Sequence, residues 1–252
     1  MSPIGVGLIT LACTFGSACL GTTIRAALPN SHTSKESQDV VRLGMGLVAT
    51  MTALLLGLVT ASAKGSFDAQ DAAIRTSAVD ILTMDRHLAR YGPETRPIRD
   101  LLKRAVAARL EMTWPTHGTG SGFNDSQNAG VAEDIENQIL ALAPVSEAQR
   151  WSKSEALRLC DEVTKARWRV LQSNGGSVPL TFLVVVILWL TATFASFGLY
   201  APRNATVLSV LFIASISVAA AVFLILELDG PFAGVIKVSS GPLKYAVAHL
   251  GG

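Results

Sequence analysis

The chain has 252 residues, half of them hydrophobic and 16% charged, and its net charge is +2. This is too apolar for an ordinary soluble domain and places the protein in the membrane class, while the near-neutral balance gives no ground for a nucleic-acid partner. Three cysteines (Cys13, Cys19, Cys160) and four scattered histidines show no metal-ligand spacing, so no disulfide frame, metal or cofactor is expected.

A spanning helix needs about 20 predominantly apolar residues. Four segments qualify, at 3–24, 43–63, 179–200 and 207–228, and none holds a charge before its last turn. The first has no Lys or Arg before Arg25, and Gly16 stands where a lipoprotein cleavage site needs an aliphatic residue. It therefore reads as a retained span rather than a signal peptide. The chain divides into a first hairpin (1–63), a polar helical domain (64–178), a second hairpin (179–228) and a tail (229–252). Lys64, Arg75, Lys165, Arg167, Arg169, Lys237 and Lys244 flank the spans on the domain side, against Arg25, Lys35, Arg42 and Arg203 on the other. That bias puts the domain and both termini in the cytoplasm.

Along the second span a stripe of small or polar residues recurs at spacings of four and three: Gly46, Thr50, Ala53, Gly57, Thr60 and Lys64. The same register continues as Phe67, Asp71, Ile74, Ala78, Ile81, Asp85 and Leu88, now in a charged, water-compatible segment. One helix is therefore expected to leave the membrane and keep a single edge toward sister copies. The stripe has two readings. Small residues allow close helix packing inside one subunit, or the face lines a narrow channel with Thr50 and Thr60 offering hydroxyls. In the second reading Lys64, Asp68 and Asp71 stand at the cytoplasmic mouth, and their mixed signs leave selectivity open. The opposite face, with Leu47, Met51, Leu54, Leu55 and Leu58, suits lipid or neighbouring helices, and Leu56 is a possible apolar constriction.

The polar domain reads as helical. Its first helix ends at Tyr91-Gly92-Pro93, with Gly92 expected in the left-handed C′ position. A second starts at Pro97 and carries Ile98, Leu101, Leu102, Ala105 and Val106 on one side. A polar loop is expected over 115–130 and a short helix over 131–142. A last helix begins at Ser146, with Gln149 completing a capping box. It presents Ala156, Leu159, Cys160, Val163, Ala166 and Val170, and a break is expected at Ser173-Asn174-Gly175-Gly176. So small a domain has a thin core alone, and packing against other subunits would add burial.

Glu227 and Asp229 close the fourth span. Acids at that depth are costly unless paired or solvated, and Lys64, Lys165, Arg167 and Arg169 are the candidate partners. Asp80, Asp85 and Arg86 read as a solvated or interhelical charge face. Arg203 and Asn204 form the tight turn between the last two spans. No phosphate loop, metal motif or nucleophile triad stands out, so an enzyme is not expected.

Several runs resemble the bacterial bestrophin-like membrane proteins. They are residues 53–59 followed by Ala63-Lys64-Gly65-Ser66-Phe67-Asp68, residues 84–94, the stretch from Phe194-Ala195-Ser196-Phe197-Gly198 to Ala201-Pro202-Arg203-Asn204-Ala205-Thr206, and Leu224 to Asp229 with Pro231-Phe232. The resemblance covers nearly the whole chain. It implies kinship with bestrophins, which are pentameric anion channels with a cytoplasmic helical body and both termini inside. The sequence departs from that pattern in two places. Bestrophins line the neck with bulky apolar and aromatic residues, where this helix offers Gly, Ala and Thr on one face and Leu on the other. No acidic cluster resembles the bestrophin calcium clasp.

The expectation is an all-α integral membrane protein that forms a homo-oligomeric channel for inorganic ions. The second span and its extension would line the axis, and the lipid bilayer and further copies of the chain are its partners. A non-conducting scaffold or sensor, assembled through the same helix, is the alternative.

Overall fold

The computed structural model describes residues 2–27, 35–115, 126–173, 179–202, 204–232 and 234–252. The described residues form α-helices and one short 3-10 turn, without strands. The helices are α1 (Pro3–Ala27), α2 (Lys35–Tyr91), α3 (Arg96–Thr113), α4 (Ser126–Leu140), α5 (Glu147–Ser173), α6 (Leu180–Tyr200), α7 (Ala205–Asp229) and α8 (Gly241–His249). Four of them contain stretches long and apolar enough to cross a membrane: α1, the first part of α2, α6 and α7. Of the expected loop over 115–130, residues 116–125 lie outside the described residues and 126–130 are instead the first turn of α4, because their residue types allow the helix to start before Val131. Residues 174–176 of the expected break and Arg203 also lie outside the described residues.

The chain forms two compact units: residues 1–66 with 176–229, and residues 67–175 with 230–252. In the first, α1 packs against both α6 and α7. Lipid gives helices no hydrophobic drive toward one another, so small residues that let backbones approach do the holding. Ala18 and Gly21 on α1 meet Ala195 and Gly198 on α6 in this way. A methyl group built on Gly198 would overlap the Ala18 carbonyl, and one on Gly21 the Ala195 carbonyl. Ser17 adds an interhelical bond, its hydroxyl donating to the Thr191 carbonyl at 3.0 Å. Phe15 meets Phe212 edge to face at 5.0 Å between ring centroids, a favoured aromatic geometry. At the start of α7, Asn204 accepts from the Val207 N–H at 2.8 Å, which makes it the N-cap of that helix.

In the second unit the core gathers Ile74, Ala78, Ile81, Met84 and Leu88 of α2 with Ile98, Leu102 and Val106 of α3. Ile135 and Ile139 of α4 and Ala156, Leu159 and Cys160 of α5 complete its walls. The C-terminal segment, set apart as a tail on sequence grounds, supplies Val238, Leu243, Ala246 and Leu250 to the same core. Its side is fastened by Trp114, whose indole N–H donates to the Val238 carbonyl at 3.0 Å. Lys103 donates to the Leu250 carbonyl at 2.9 Å from Nζ to oxygen.

The end of α2 departs from the expected left-handed cap. Gly92 has φ 148° and ψ 175°, an extended mirror-image conformation open essentially to glycine. The reason lies in Pro93. A Schellman cap needs the N–H of that position to reach the Leu88 carbonyl, and proline has none. The buried Thr95 hydroxyl takes its place, donating to Leu88 at 2.6 Å. At Ser146 the cap is also modified. Ser146 accepts from the Gln149 N–H at 3.2 Å, but the Gln149 carbonyl accepts from Val145, and its amide donates to the Tyr91 carbonyl at 3.0 Å. Gln149 thereby ties the start of α5 to the end of α2.

Candidate functional site

The membrane-embedded part of α2 is the least covered segment of the first unit. Only 6% of its apolar window is buried, against 39%, 33% and 28% for α1, α6 and α7. Between residues 43 and 63 only Thr52 and Ala63 are buried, and they lie on one side of the helix. The side opposite them is exposed at Leu43, Leu47, Thr50, Leu54, Leu58, Ala61 and Gly65. In the second unit the uncovered side of α2 is Asp68, Ala72, Thr76, Val79, Arg86 and Arg90, with Thr83 half-buried among them. Spacings of three and four link the members of each set, so within each unit they share one edge of the helix.

The sequence-derived stripe lies partly on this edge. Gly46, Thr50, Ala53 and Gly57 are exposed, and Thr60 is half-buried. A methyl group on Gly46 or Gly57 would meet nothing within 4 Å, so neither glycine serves packing inside its own subunit. Lys64 and Asp68 are exposed, whereas Asp71 is half-buried and bound to Arg75 of the next turn at 2.7 Å. Leu56, the candidate constriction, is half-buried and away from the uncovered edge.

The expectation that one stripe faces sister copies throughout does not hold below the membrane. Ile74, Ala78, Ile81 and Leu88 are all buried in their own subunit's core. There α3, α4 and α5 offer apolar surface to the heptad positions, and water drives those faces together, a force absent in lipid. Asp85 is likewise not a solvated charge. Its carboxylate is 1% exposed and accepts two bonds from the Arg99 guanidinium, at 2.7 and 2.9 Å, with Arg99 itself 12% exposed. The same guanidinium donates to the Gly252 carbonyl at 2.9 Å. No sequence signal marks that pairing, which joins residues on separate helices. Arg86 and Arg90 on the exposed edge did have one. They lie off the apolar register and continue the three-and-four spacing of Asp68, Ala72, Thr76, Val79 and Thr83.

Glu227 is buried, 2% exposed, and is engaged in a polar or electrostatic interaction, so it does not reach solvent freely. Asp229 is half-buried. Among the described residues no group of three His, Cys, Asp or Glu side chains is placed to hold a metal ion. The Cys160 thiol is pushed up to about 11, first by burial and then by Glu136 and Asp161, so at neutral pH it is not a nucleophile. Burial beside α5, together with Arg90, lowers the pKa of His87, whose ring stands edge-on to Trp151 at 4.9 Å. Burial and then Glu162 raise that of Asp80. These are features of a helix interface and assemble no catalytic set.

The sequence profile of the bestrophin-like domain matches residues 12–243. The chain belongs to the bestrophin-like family. Among solved structures, two crystal structures of a bacterial bestrophin homologue from Klebsiella pneumoniae match the bestrophin-like chain with TM-scores of 0.71 and 0.70, at 14% and 13% identity. A crystal structure described only as a membrane protein matches with a TM-score of 0.70 at 13% identity. Each match covers 96% of both chains, and at such identity the likeness establishes the fold. Among curated proteins, none matches. The bestrophin-like protein is thus an all-α membrane protein with four membrane-crossing helices.

Proposed function

We propose that this bestrophin-like protein assembles with copies of itself around α2 and passes inorganic ions along the shared axis. The observation that carries the reading is the uncovered edge of α2, which other copies would enclose. Its membrane part would present Leu47, Thr50, Leu54 and Leu58 to the axis, a mostly apolar stretch of the kind that controls flow by expelling water. The small residues beside it, Ala53, Gly57 and Thr60, would sit where neighbouring α2 helices approach, with Thr50 shared between packing and pathway. Lys64 and Asp68 would stand at the mouth on the domain side, and Arg86 and Arg90 further along. Glu227 and Asp229 would serve as paired structural acids. The protein would lie in a bacterial inner membrane with its helical domain and both termini inside, in line with the distribution of Lys and Arg. A ring of five follows from kinship with bestrophins.

Purified protein in liposomes tests this. Ion flux above background is expected from the wild type. Leu54→Ala with Leu58→Ala is expected to raise it severalfold, and Lys64→Glu to change the ratio of anion to cation flux. Background flux for both ion signs, in wild type and variants alike, overturns conduction. An oligomer without flux favours the scaffold reading, and a lone subunit in the membrane overturns both.

A further inference from the structure

A second feature of the first unit lies off the uncovered edge of α2, on the side that faces α6. Arg42, Met45, Gly46 and Ala49 on α2 and Phe197 and Tyr200 on α6 line an open, largely apolar groove of about 460 Å³. That volume lies within the ~300–1,000 Å³ of small-molecule sites. Gly46 leaves its floor clear, since a methyl group there would meet nothing within 4 Å. The groove sits where α2 becomes apolar, at Leu43, and where α6 ends, at Tyr200, which is the level of lipid headgroups. Arg42 is exposed at its rim and makes no hydrogen bond or ion pair with any described residue. Asp39, one turn back on the same helix, is exposed and leaves that charge unpaired. Nearby, Arg25 donates to the Ala201 carbonyl at 2.5 Å and adds a second cation at this end.

We infer that this groove holds one anionic phospholipid, its phosphate on Arg42 and one acyl chain along Met45, Ala49 and Phe197. A guanidinium with no partner among the described residues, above an apolar slot, matches both parts of such a molecule, and the long arginine stem reaches a headgroup while its methylenes stay in the apolar layer. The inference does not depend on conduction.

Native mass spectrometry of the delipidated full chain, titrated with phosphatidylglycerol or phosphatidylcholine, tests it. Phosphatidylglycerol is expected to be retained in preference to phosphatidylcholine. Arg42→Gln is expected to weaken its retention about fivefold, the effect of one interfacial cation. Arg42→Lys should keep most of it, and Ala49→Trp, which fills the slot, should abolish it. Equal retention of the two lipids, or no change in Arg42→Gln, overturns the inference in favour of ordinary surrounding lipid. Displacement of phosphatidylglycerol by inorganic phosphate overturns it in favour of a free-anion site. Loss of both lipids overturns it as well, and cross-linking of Met45→Cys to a second copy would then identify the occupant as another subunit.

Discussion

The two parts of α2 lie on one helix and follow opposite rules. In the second unit α2 is a core element, with Ile74, Ile81 and Leu88 buried beneath three other helices and Asp85 clamped by Arg99. In the first unit it is nearly bare, while α1 packs against both α6 and α7. A pattern of residues at spacings of three and four reports that a face exists. What the face meets depends on the solvent around it. In water an apolar stripe is driven to bury itself at the first opportunity. In lipid a stripe gains only from close fit, and it stays uncovered until a partner with a matching surface arrives.

The sharpest test of the contrast is the buried ion pair. Asp85→Ala or Arg99→Ala leaves one charge buried without its partner and is expected to cost about 3–5 kcal/mol in the stability of the second unit. Replacing both, as Asp85→Leu with Arg99→Met, should recover much of that loss, because neither charge is then left buried without its partner; the Gly252 carbonyl loses its Arg99 donor in either case. Chemical denaturation of the detergent-solubilised protein, followed by the fluorescence of Trp114 in a variant whose three other tryptophans are replaced by Phe, reads both. A single variant as stable as wild type would show that this part of α2 is not the core element described above.

Next come the glycines of the first unit. Gly198→Ala must force α1 and α6 apart and is expected to cost about 1–3 kcal/mol, the usual penalty of overpacking. Gly57→Ala meets open space within its own subunit and, in the dissociated subunit, should be neutral or favourable by up to ~1 kcal/mol through helix propensity. Thermal unfolding of the two variants side by side checks the pair. Equal losses would mean that α2 is packed within the assembly as tightly as α1.

The smallest effect is expected from pH. Because His87 has a lowered pKa in the folded chain, the unfolded chain binds a proton more readily below about 6.5, the ordinary histidine value. Stability from this group is therefore present above that pH and is lost as pH falls toward the lowered value. The groups facing His87 are Arg90 on its own helix and Trp151, Glu155 and Arg158 on α5. Melting temperatures of wild type and His87→Gln across pH 7.5 to 5 (~two and a half units, bracketing the free-histidine pKa) measure it. The wild type should lose stability on acidification more than the variant, and parallel curves would remove His87 from the account.

Much of the architecture was legible along the chain. Spans announce themselves, since a bilayer demands long uncharged runs whatever surrounds them, and α3 and α5 showed their inner faces through Ile98, Leu102 and Val106 or Ala156, Leu159 and Cys160. The Gly46 to Gly57 stripe was also visible, although the uncovered edge passes through Thr50 toward Leu54 and Leu58 rather than along the glycines alone. Less could be seen of Gly21 and Gly198, whose spacing within each helix says nothing of the other helix they press against. The role of α8 in the core was hidden for the same kind of reason, because a nine-residue helix is too short for its apolar positions to show a clear periodic face.

Local order along the chain was enough to establish helices, spans and the polar domain, because hydrogen bonding, propensity and hydropathy act over a few residues at a time. Which side of α2 is covered, and the pairing of Asp85 with Arg99, came from the folded arrangement. Those outcomes depend on which distant helices compete for each face, and that competition is settled by packing among elements far apart in sequence.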